Sequence, residues 1–571
     1  MLWKSLGNLW RPDDTKSDGD NLGQETISCL LRMAQEGFTQ DQSFLHRHLP
    51  YPGQIHHAQV NNSGIALVVR TRQAFGQKYL LSLVFLAYVG LLALTISHHE
   101  PWADEAQAWL IARDVGVVEL FAHVLRYEGT PGLWHLILMA PAKAGLPYWS
   151  LGVISGVIAA AGVSILLTYC KVPLLPRLML PFSFVLLYQY AVVARSYVLL
   201  PILLFSIGAI YRDKTRRIYL FTLLLCLLAD ANLHGTFIAL SLAAIHTAGA
   251  GREWSSMDSA LREKHLIALG AFGATISLII LQVIPPADLV MPTSPCPDPT
   301  GRLVVLSSFL LADSITLPGL PWLSIPVFLA SIVWFWRQKA LWEYVLPTAG
   351  LLLLFGLVYF SPWHECVLFL VWVFAVGIGF EHQRLGNCRG GDRLRRLDEL
   401  FPGVVVLVAG IQIIWAAPMI KWDLRQSYTG STEAAHYIKD HNLQDKTIYA
   451  TGFHSIAILP YFKDNIFANL NGGKKPAFWW WSMRNPLVLD KRWGSGNLPE
   501  VVRSIRRQKP DIIVVSVTQS FQRSVLPLAG YEVAVDCGGA ARWKGIRYET
   551  GSFIILRRKG AELPEQRGPS P

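Results

Sequence analysis

Apolar runs separated by short polar loops dominate the chain between residues 79 and 418. The runs lie at 79–97, 131–146, 151–170, 178–194, 197–211, 218–231, 235–249, 265–284, 321–336, 341–360, 366–380 and 402–418. A helix needs about 20 apolar residues to cross the hydrocarbon core, and packing inside a bundle makes the shorter runs tolerable. We therefore expect an α-helical polytopic membrane protein with roughly eleven spans.

Lys and Arg concentrate in three loops of this region, at 212–217, 252–264 and 381–400. Cytoplasmic loops carry such an excess of basic residues, so the three loops predict the inside face of the membrane. Basic residues just before the first run place the N-terminus inside as well: Arg70, Arg72 and Lys78. The loop 98–130 and the region from 419 onward are then expected outside.

Three segments do not follow a simple alternation. If 171–177 is inside, residues 131–170 cross only once, and one of the two apolar runs there lies in the interface. The proline-rich stretch 285–302 should lie outside. We expect 303–317 to be a helix on the membrane surface, because counting it as a span would reverse every later loop.

Both ends of the chain are more polar than its middle. Residues 1–78 are expected to form a cytoplasmic extension, in which four histidines (His46, His48, His56 and His57) favour a loosely folded tail over a metal site. Residues 419–571 predict an extracytoplasmic α/β domain. Its helix is expected at 431–441 with Ser431 or Thr432 as the N-cap. Its strands are expected at 447–451, 510–517, 531–535 and 552–558, the last two forming a hairpin or a sheet edge.

Composition supports a membrane protein. The 571 residues are 52% hydrophobic and 16% charged, whereas soluble domains carry about 25% charged residues. Twenty Trp and nineteen Tyr suit the aromatic belts at the two membrane surfaces. The net charge of +11 lies in membrane loops, which argues against nucleic acid as a partner. Seven scattered Cys predict neither a zinc site nor a disulfide framework, and a Cys296–Cys537 pair stays open.

The most informative polar stretch is HHEPWADEAQAWLIARD, residues 98–114, directly after the first span. It holds two adjacent carboxylates, Asp104 and Glu105, at the membrane surface. A carboxylate at an apolar boundary can act as a general base towards a hydroxyl. The alternative is structural, with Asp104 capping the helix that follows.

Four further polar breaks are expected on the same face. Their polar residues are Arg126 and Glu128 in 125–138, Arg195 and Tyr197 in 188–205, Asp230, Asn232 and His234 in 230–240, and His364 and Glu365 in 359–369. An Arg at a bilayer boundary either extends to the interface or pairs with a group such as phosphate. One polar break is ordinary, but five on one side predict a polar cavity that faces outward.

This combination resembles the GT-C glycosyltransferases that use polyprenyl-phosphate sugars, in particular the protein O-mannosyltransferase and aminoarabinose (lipid A) transferase group. The matching pieces are Asp104-Glu105, Glu128-Gly129-Thr130-Pro131, Ala194-Arg195-Ser196-Tyr197 and His234. Their order and spacing match over residues 79–250. The later spans and the C-terminal domain fit the same layout more loosely.

The resemblance implies roles for these residues. Asp104 would be the catalytic base, with Glu105 beside it in the site. Glu128 would position the acceptor or the sugar, and Arg195 and His234 would hold the lipid phosphate, with Tyr197 and His364 as further substrate-binding residues. Relatives often carry a basic residue or His before a Pro-Pro pair, where this chain has Gly129-Thr130-Pro131-Gly132. Arg126 is the candidate to replace that missing cation.

The implied reaction transfers a sugar, with inversion, from a polyprenyl-phosphate donor to a hydroxyl of a protein, lipid or glycan on the extracytoplasmic face of the inner or plasma membrane. It needs a base and positive charge on the departing phosphate, but no metal or other cofactor. Two alternatives remain. A transporter or lipid flippase would carry its polar residues near the midplane. A non-catalytic assembly protein would leave Asp104 and Arg195 replaceable.

Overall fold

The computed structural model describes residues 62–290, 301–302, 315, 324–358, 360–386, 388–389, 395–485, 498–517 and 530–560. Gly76–Pro571 forms one compact unit. Several expected features lie outside the described residues: the N-terminal histidine cluster, most of the surface helix at 303–317, most of the proline-rich loop, and Cys296 with its open pairing.

The described chain is mostly helical. The α-helices in chain order are α1 Asn62–Ile96, α2 Ala103–Asp114, α3 Val117–Glu119, α4 Leu125–Glu128, α5 Leu133–Lys143, α6 Ser150–Tyr169, α7 Leu174–Met179, α8 Leu199–Ile210, α9 Ile218–Ala231, α10 Leu233–Glu253, α11 Ser259–Val283, α12 Ser324–Arg337, α13 Leu341–Leu357, α14 Glu365–Arg384, α15 Arg395–Asp423, α16 Ser431–Asp440 and α17 Leu498–Gln508. Tighter 3-10 turns and wider π-turns extend or join several of them.

Seven helical stretches among the described residues are long and apolar enough to cross a membrane. They are Gly76–Ile96, Ser150–Tyr169, Ser196–Asp213, Leu233–Ser256, Ser259–Val283, Pro362–Arg384 and Arg395–Asp423. The shorter helices α9, α12 and α13 are also apolar. Several long apolar helices confirm the expected polytopic character in its coarse form.

Two of the expected runs take another form. The run 178–194 is not one helix, because α7 ends at Met179 and a π-helix occupies Phe184–Gln189 beyond an extended Ser183 (ψ 150°). The run 131–146 yields only α5, whose 11 residues reach about half of the hydrocarbon thickness at 1.5 Å per residue. The 20-residue helix α6 is therefore the one of the two in 131–170 that is long enough to cross.

Burial separates a central helix from peripheral ones. In the stretch Pro362–Arg384, 94% of the apolar window is buried within the protein, against 17% for Gly76–Ile96 and for Ser259–Val283. A helix that is apolar on all sides is stable only when it is surrounded by other helices or by lipid. α14 therefore lies at the centre of the bundle, and the two peripheral helices leave most of their apolar surface for lipid.

The C-terminal region contains a small mixed sheet, as the sequence predicted. Its strands run in the order β1-β2-β6-β3, with β1 Ile448–Thr451, β2 Ile512–Val517, β3 Tyr531–Cys537 and β6 Ser552–Arg558. β1 and β2 are parallel, and β6 is antiparallel to both of its neighbours. The strands β3 and β6 do pair, but a separate hairpin, β4 Ala540–Trp543 and β5 Ile546–Thr550, is inserted between them in sequence.

Neither expected N-cap residue of α16, Ser431 or Thr432, is the observed one. The N-cap position belongs to Gly430, and Ser431 is already the first helical residue. The amide of Thr432 donates instead to the carboxylate of Glu100 at 2.5 Å. Because Glu100 lies just after the first long apolar helix, this capping interaction connects the C-terminal region to the loop that follows α1.

The β4–β5 hairpin docks on the helices α14 and α15. Its two-residue turn is Lys544-Gly545, and both residues have positive φ (50° and 84°), as the tightest hairpin turns require. The ammonium group of Lys544 forms an ion pair with Glu365 and lies 3.8 Å from the ring centroid of Trp415. Both charged side chains are only 3% exposed, so the hairpin tip is part of the protein interior.

Candidate functional site

The polar stretch after α1 positions its two carboxylates on the first turn of α2. Trp102 is the N-cap residue of this helix, and its amide donates to Glu105 Oε2 at 3.1 Å. Glu105 thus satisfies one of the amide groups that a helix start leaves without a partner. The alternative that Asp104 caps the helix is wrong, because the neighbouring carboxylate has that task.

Asp104 faces a cation instead. Its Oδ2 lies 3.0 Å from Nη2 of Arg195, and the two side chains are 23% and 20% exposed. The guanidinium of Arg195 lies 5.3 Å from the ring centroid of Tyr197 and 5.7 Å from that of Trp363. A planar cation beside aromatic rings is held in orientation by those rings.

The backbone before Arg195 is fixed by Glu105. Glu105 Oε1 accepts a 2.7 Å hydrogen bond from the amide of Ala194, and Arg195 itself has an extended backbone (φ −121°, ψ 168°). This carboxylate is fully buried. These adjacent residues of one helix turn therefore have different roles. Glu105 holds the backbone before Arg195, and Asp104 pairs with the Arg195 side chain.

Two histidines from different spans meet beside this pair. The ring centroids of His234 and His364 are 4.5 Å apart, and that of Tyr197 lies 5.4 Å and 6.0 Å from them. His234 follows Asn232, whose side chain caps α10 by accepting from the amide of Gly235 at 2.9 Å. Both ring nitrogens of His234 are buried without a hydrogen-bond partner among the described residues. Buried polar groups are nearly always hydrogen-bonded, so His234 calls for an explanation, and a polar ligand is one.

Glu128 reaches the same site from the second polar stretch. α4 ends at Glu128 because Gly129 adopts the left-handed conformation (φ 62°). Gln107 Nε2 donates to Glu128 at 2.8 Å, and the same amide group exchanges two hydrogen bonds with the backbone of Trp479. Burial raises the pKa of Glu128 to about 8, and repulsion from Asp104 adds to the rise. Glu128 is therefore mostly protonated at neutral pH.

Arg126 lies apart from this cluster. Its Nε donates to the carbonyl of Ile284 at 3.0 Å, at the end of α11, and the structure shows no contact of Arg126 with Asp104 or Arg195. The substitute phosphate contact that the sequence suggested for Arg126 has no counterpart in this geometry. The other seven predicted site residues lie together. Among them, Glu105 is a positioning residue.

A buried network behind Glu105 was not predicted from the sequence. His99 Nδ1 lies 2.8 Å from Asp423 and His99 Nε2 lies 3.4 Å from Glu105, while the hydroxyl of Tyr188 donates to Asp423 at 2.9 Å. Burial alone would lower the pKa of His99, but Asp423 and then Glu105 raise it to about 10. The imidazolium therefore links the start of α2 to the end of α15. In the sequence, His99 stands beside His98, and Asp423 lies beyond the end of the last apolar run, so the signal for this network is weak.

The fifth polar stretch contributes more than His364. Trp363 packs edge-on against Trp102 with ring centroids 5.7 Å apart, and Glu365 holds the hairpin tip through Lys544. All five polar breaks thus meet at one end of the bundle. Within the described part of the chain, no three His, Cys, Asp or Glu side chains are grouped so as to hold a metal ion.

Comparison with models of known protein families finds no match for this chain, and comparison with curated proteins finds no significant relative.

Proposed function

We propose that this protein is a membrane glycosyltransferase of the GT-C type. It would move a sugar from a polyprenyl-phosphate donor to an acceptor hydroxyl on the extracytoplasmic face, with inversion. One observation carries the proposal: five polar breaks that are far apart in sequence bring two carboxylates, an arginine and two histidines to one end of an apolar bundle. Charged groups at such a position are costly and are kept for function.

The reaction follows from the Asp104–Arg195 pair. Asp104 takes the proton of the acceptor hydroxyl while that oxygen attacks the anomeric carbon of the sugar. The bond from the anomeric carbon to the phosphate oxygen breaks, and the polyprenyl phosphate leaves with the bonding electron pair. Arg195 binds that phosphate and stabilises its growing negative charge. Attack and departure on opposite faces invert the anomeric centre.

Two further groups support the binding of substrate. His234, which has no hydrogen-bond partner among the described residues, gives the donor phosphate a second polar contact beside Arg195. Glu128, whose pKa is raised to about 8, is a carboxylic acid at neutral pH and can donate a hydrogen bond to a sugar hydroxyl. Its neutral form also avoids a second negative charge beside Asp104.

The proposed topology has eleven crossings: the seven long helical stretches, the three shorter helices, and the broken segment from α7 to Gln189. It places 98–130 and 419–571 outside. The transporter alternative is less well supported, because the polar cluster gathers where helices begin, at Asn232 and Ser361, and transporters bind near the midplane. The alternative of a non-catalytic assembly protein does not explain why the cluster contains buried polar groups.

Arg195→Ala in purified protein tests the proposal. The protein is reconstituted in vesicles with polyprenyl-phosphate sugars, and free polyprenyl phosphate is measured over time. We expect release by wild type and a tenfold to hundredfold lower use of the donor by Arg195→Ala, because a charge-assisted contact is worth about 1.5–3 kcal/mol.

Arg216→Gln is the matched control, because Arg216 is exposed on the opposite, basic side of the bundle. Its donor use should equal that of wild type. Unchanged donor kinetics in Arg195→Ala would return Arg195 to the role of an interfacial anchor.

A further inference from the structure

The side-chain amide of Gln107 joins Glu128 to the C-terminal region. Its Oε1 accepts a hydrogen bond from the amide of Trp479 at 2.9 Å, and its Nε2 donates to the carbonyl of the same residue at 2.8 Å. Nε2 also donates to Glu128 Oε1 at 2.8 Å. A side-chain amide has two N–H groups, so both donors of Gln107 are used. The residue is only 4% exposed, and these three bonds satisfy it inside the protein.

The backbone of Trp479 fixes the orientation of this amide. Reversing the amide would set its oxygen against the Trp479 carbonyl and its N–H groups against the Trp479 amide, which would leave buried polar groups without partners. Trp479 is 3% exposed, and two residues before it the amide of Ala477 donates to Asp114 at 2.8 Å. Asp114 lies two helical turns beyond Gln107 on the same face of α2. Segment 477–479 is thus attached to α2 at two points, and Gln107 presents an N–H to Glu128.

This orientation makes the two oxygens of the Glu128 carboxyl group unequal. A protonated carboxyl group carries its hydrogen on one oxygen only, and the other oxygen is the better acceptor. Oε1 accepts from Gln107, whereas Oε2 has no hydrogen-bond partner among the described residues. Glu128 is not fully buried. The hydrogen of the neutral carboxyl group therefore belongs on Oε2, the oxygen that is open to a ligand.

We propose that Gln107 is a positioning residue, which holds Glu128 Oε1 and directs the hydrogen on Oε2 towards a hydroxyl oxygen of the sugar or the acceptor. Since Trp479 orients Gln107, the site is complete only when the C-terminal region is in place. The arrangement at Glu128 stands on the contacts above, and its use towards substrate rests on the proposed glycosyltransferase activity. Among the described residues, the charged group that acts on Glu128 is Asp104, with Arg195 beside it.

Infrared difference spectroscopy of the purified full chain at increasing pH tests the arrangement without substrate. The C=O stretch of a protonated carboxyl group falls in frequency when its oxygen accepts a hydrogen bond, and Glu128→Gln identifies the band by its loss. Wild type should show a lowered frequency and should lose the band near pH 8. Gln107→Met keeps the length of the side chain but cannot donate to the ionised carboxylate. Its band should rise in frequency and persist about one pH unit higher.

The same change should appear in sugar transfer. If Glu128 donates from Oε2, the decline of kcat/KM at alkaline pH should move upward by about one pH unit in Gln107→Met, because the carboxyl group keeps its proton longer. A merely structural role of Gln107 would lower kcat/KM at every pH and leave the midpoint of the decline where it is in wild type.

Gln412→Met is the matched control, because Gln412 is a buried glutamine on α15 (1% exposed) that makes no hydrogen bond with Glu128. Both midpoints should stay at their wild-type values in this variant. An unshifted Glu128 band in Gln107→Met would overturn the proposal. If that variant fails to fold, the wild-type band decides, since a frequency typical of an unbonded carbonyl would equally overturn it.

The two measurements separate this inference from the proposed function. A shifted band with an unshifted kcat/KM profile would refute the role of Glu128 Oε2 towards substrate. A shifted band in a protein whose wild type transfers no sugar would contradict the glycosyltransferase proposal and support the arrangement of Gln107 and Glu128.

Discussion

Asp104 and Glu105 show how two adjacent carboxylates acquire different tasks. Both lie in the first turn of α2, yet Glu105 accepts backbone amides and Asp104 meets a guanidinium. A carboxylate whose oxygens accept hydrogen bonds from buried backbone amides cannot take a proton from substrate without breaking those hydrogen bonds. The partly exposed Asp104 accepts no such backbone hydrogen bond, which is why we propose Asp104 rather than Glu105 as the base.

The raised pKa of Glu128 predicts how kcat/KM depends on pH. Its pKa is raised from about 4.5 to about 8, so the group loses its proton as pH rises through 8. If the protonated form binds the sugar, kcat/KM of wild type falls above about pH 8. Glu128→Gln keeps a hydrogen-bond donor and cannot ionise, so the variant should remain active at pH 7 and should lack that decline.

A pH profile of kcat/KM for both enzymes checks this, with Glu119→Gln, an exposed residue of the same loop, as the control. A Glu128→Gln profile that still falls near pH 8 would assign the decline to another group. An inactive variant at pH 7 would show that the ionised carboxylate is needed.

For single residues, the sequence indicated which side chains are candidates for the site better than it indicated which side chains they contact. Asp104, Glu128, Arg195 and the two histidines could be selected because polar groups are rare beside apolar runs. Their pairing could not be predicted, because a side chain's partner depends on which helix ends meet in space. Arg126 shows the limit, since its charge fits a phosphate site but its carbonyl partner lies on α11.

The β4–β5 hairpin joins the C-terminal region to the bundle through one buried ion pair. Removing a single partner leaves an uncompensated buried charge, so Lys544→Met or Glu365→Gln alone should lower the free energy of unfolding by about 3–5 kcal/mol. The double variant removes both charges and should be less destabilised than the sum of the single changes.

Thermal unfolding of the four proteins in one detergent measures this coupling. Additive losses would mean that Lys544 and Glu365 do not interact in the folded protein. Exchange of the exposed Lys559 for Met serves as the control, because the side chain lies on the end of the sheet and should change stability little.

Elements with a regular period were predictable, and irregular ones were not. The four main strands and α16 were found because buried strands and amphipathic helices repeat their apolar residues regularly. The hairpin was not predictable because Lys544 is buried, and Trp543 partly buried, by another part of the chain rather than by their own sheet. The run 178–194 was read as one helix because apolar composition does not reveal that Ser183 interrupts it.

For the whole molecule, the basic loops fix the proposed orientation. Reporter fusions should place 212–217, 252–264 and 381–400 on the cytoplasmic side, and 98–130 and 419–571 on the other. The structure brings 98–130 and the C-terminal region into contact through Glu100, Gln107 and His99, so both must share one face. A cytoplasmic C-terminal region would remove the outward-facing site.

The coarse architecture was predictable because hydropathy indicates which segments of the chain are buried away from water. A mostly helical chain with several long apolar helices and a small C-terminal sheet is confirmed. Hydropathy could not show that α14 is central and α1 peripheral, since each contains a long apolar window. That distinction depends on neighbours, and it decides where a lipid can reach the protein.

Turnover of Asp104→Asn is the most direct test of the central claim. Asparagine keeps the size of the side chain and cannot take a proton. We expect sugar transfer from a polyprenyl-phosphate donor to fall at least about a hundredfold, the usual contribution of a general base, with thermal stability little changed. Asp440→Asn, at an exposed position on α16, should transfer as wild type does. A fully active Asp104→Asn enzyme would contradict the proposed mechanism.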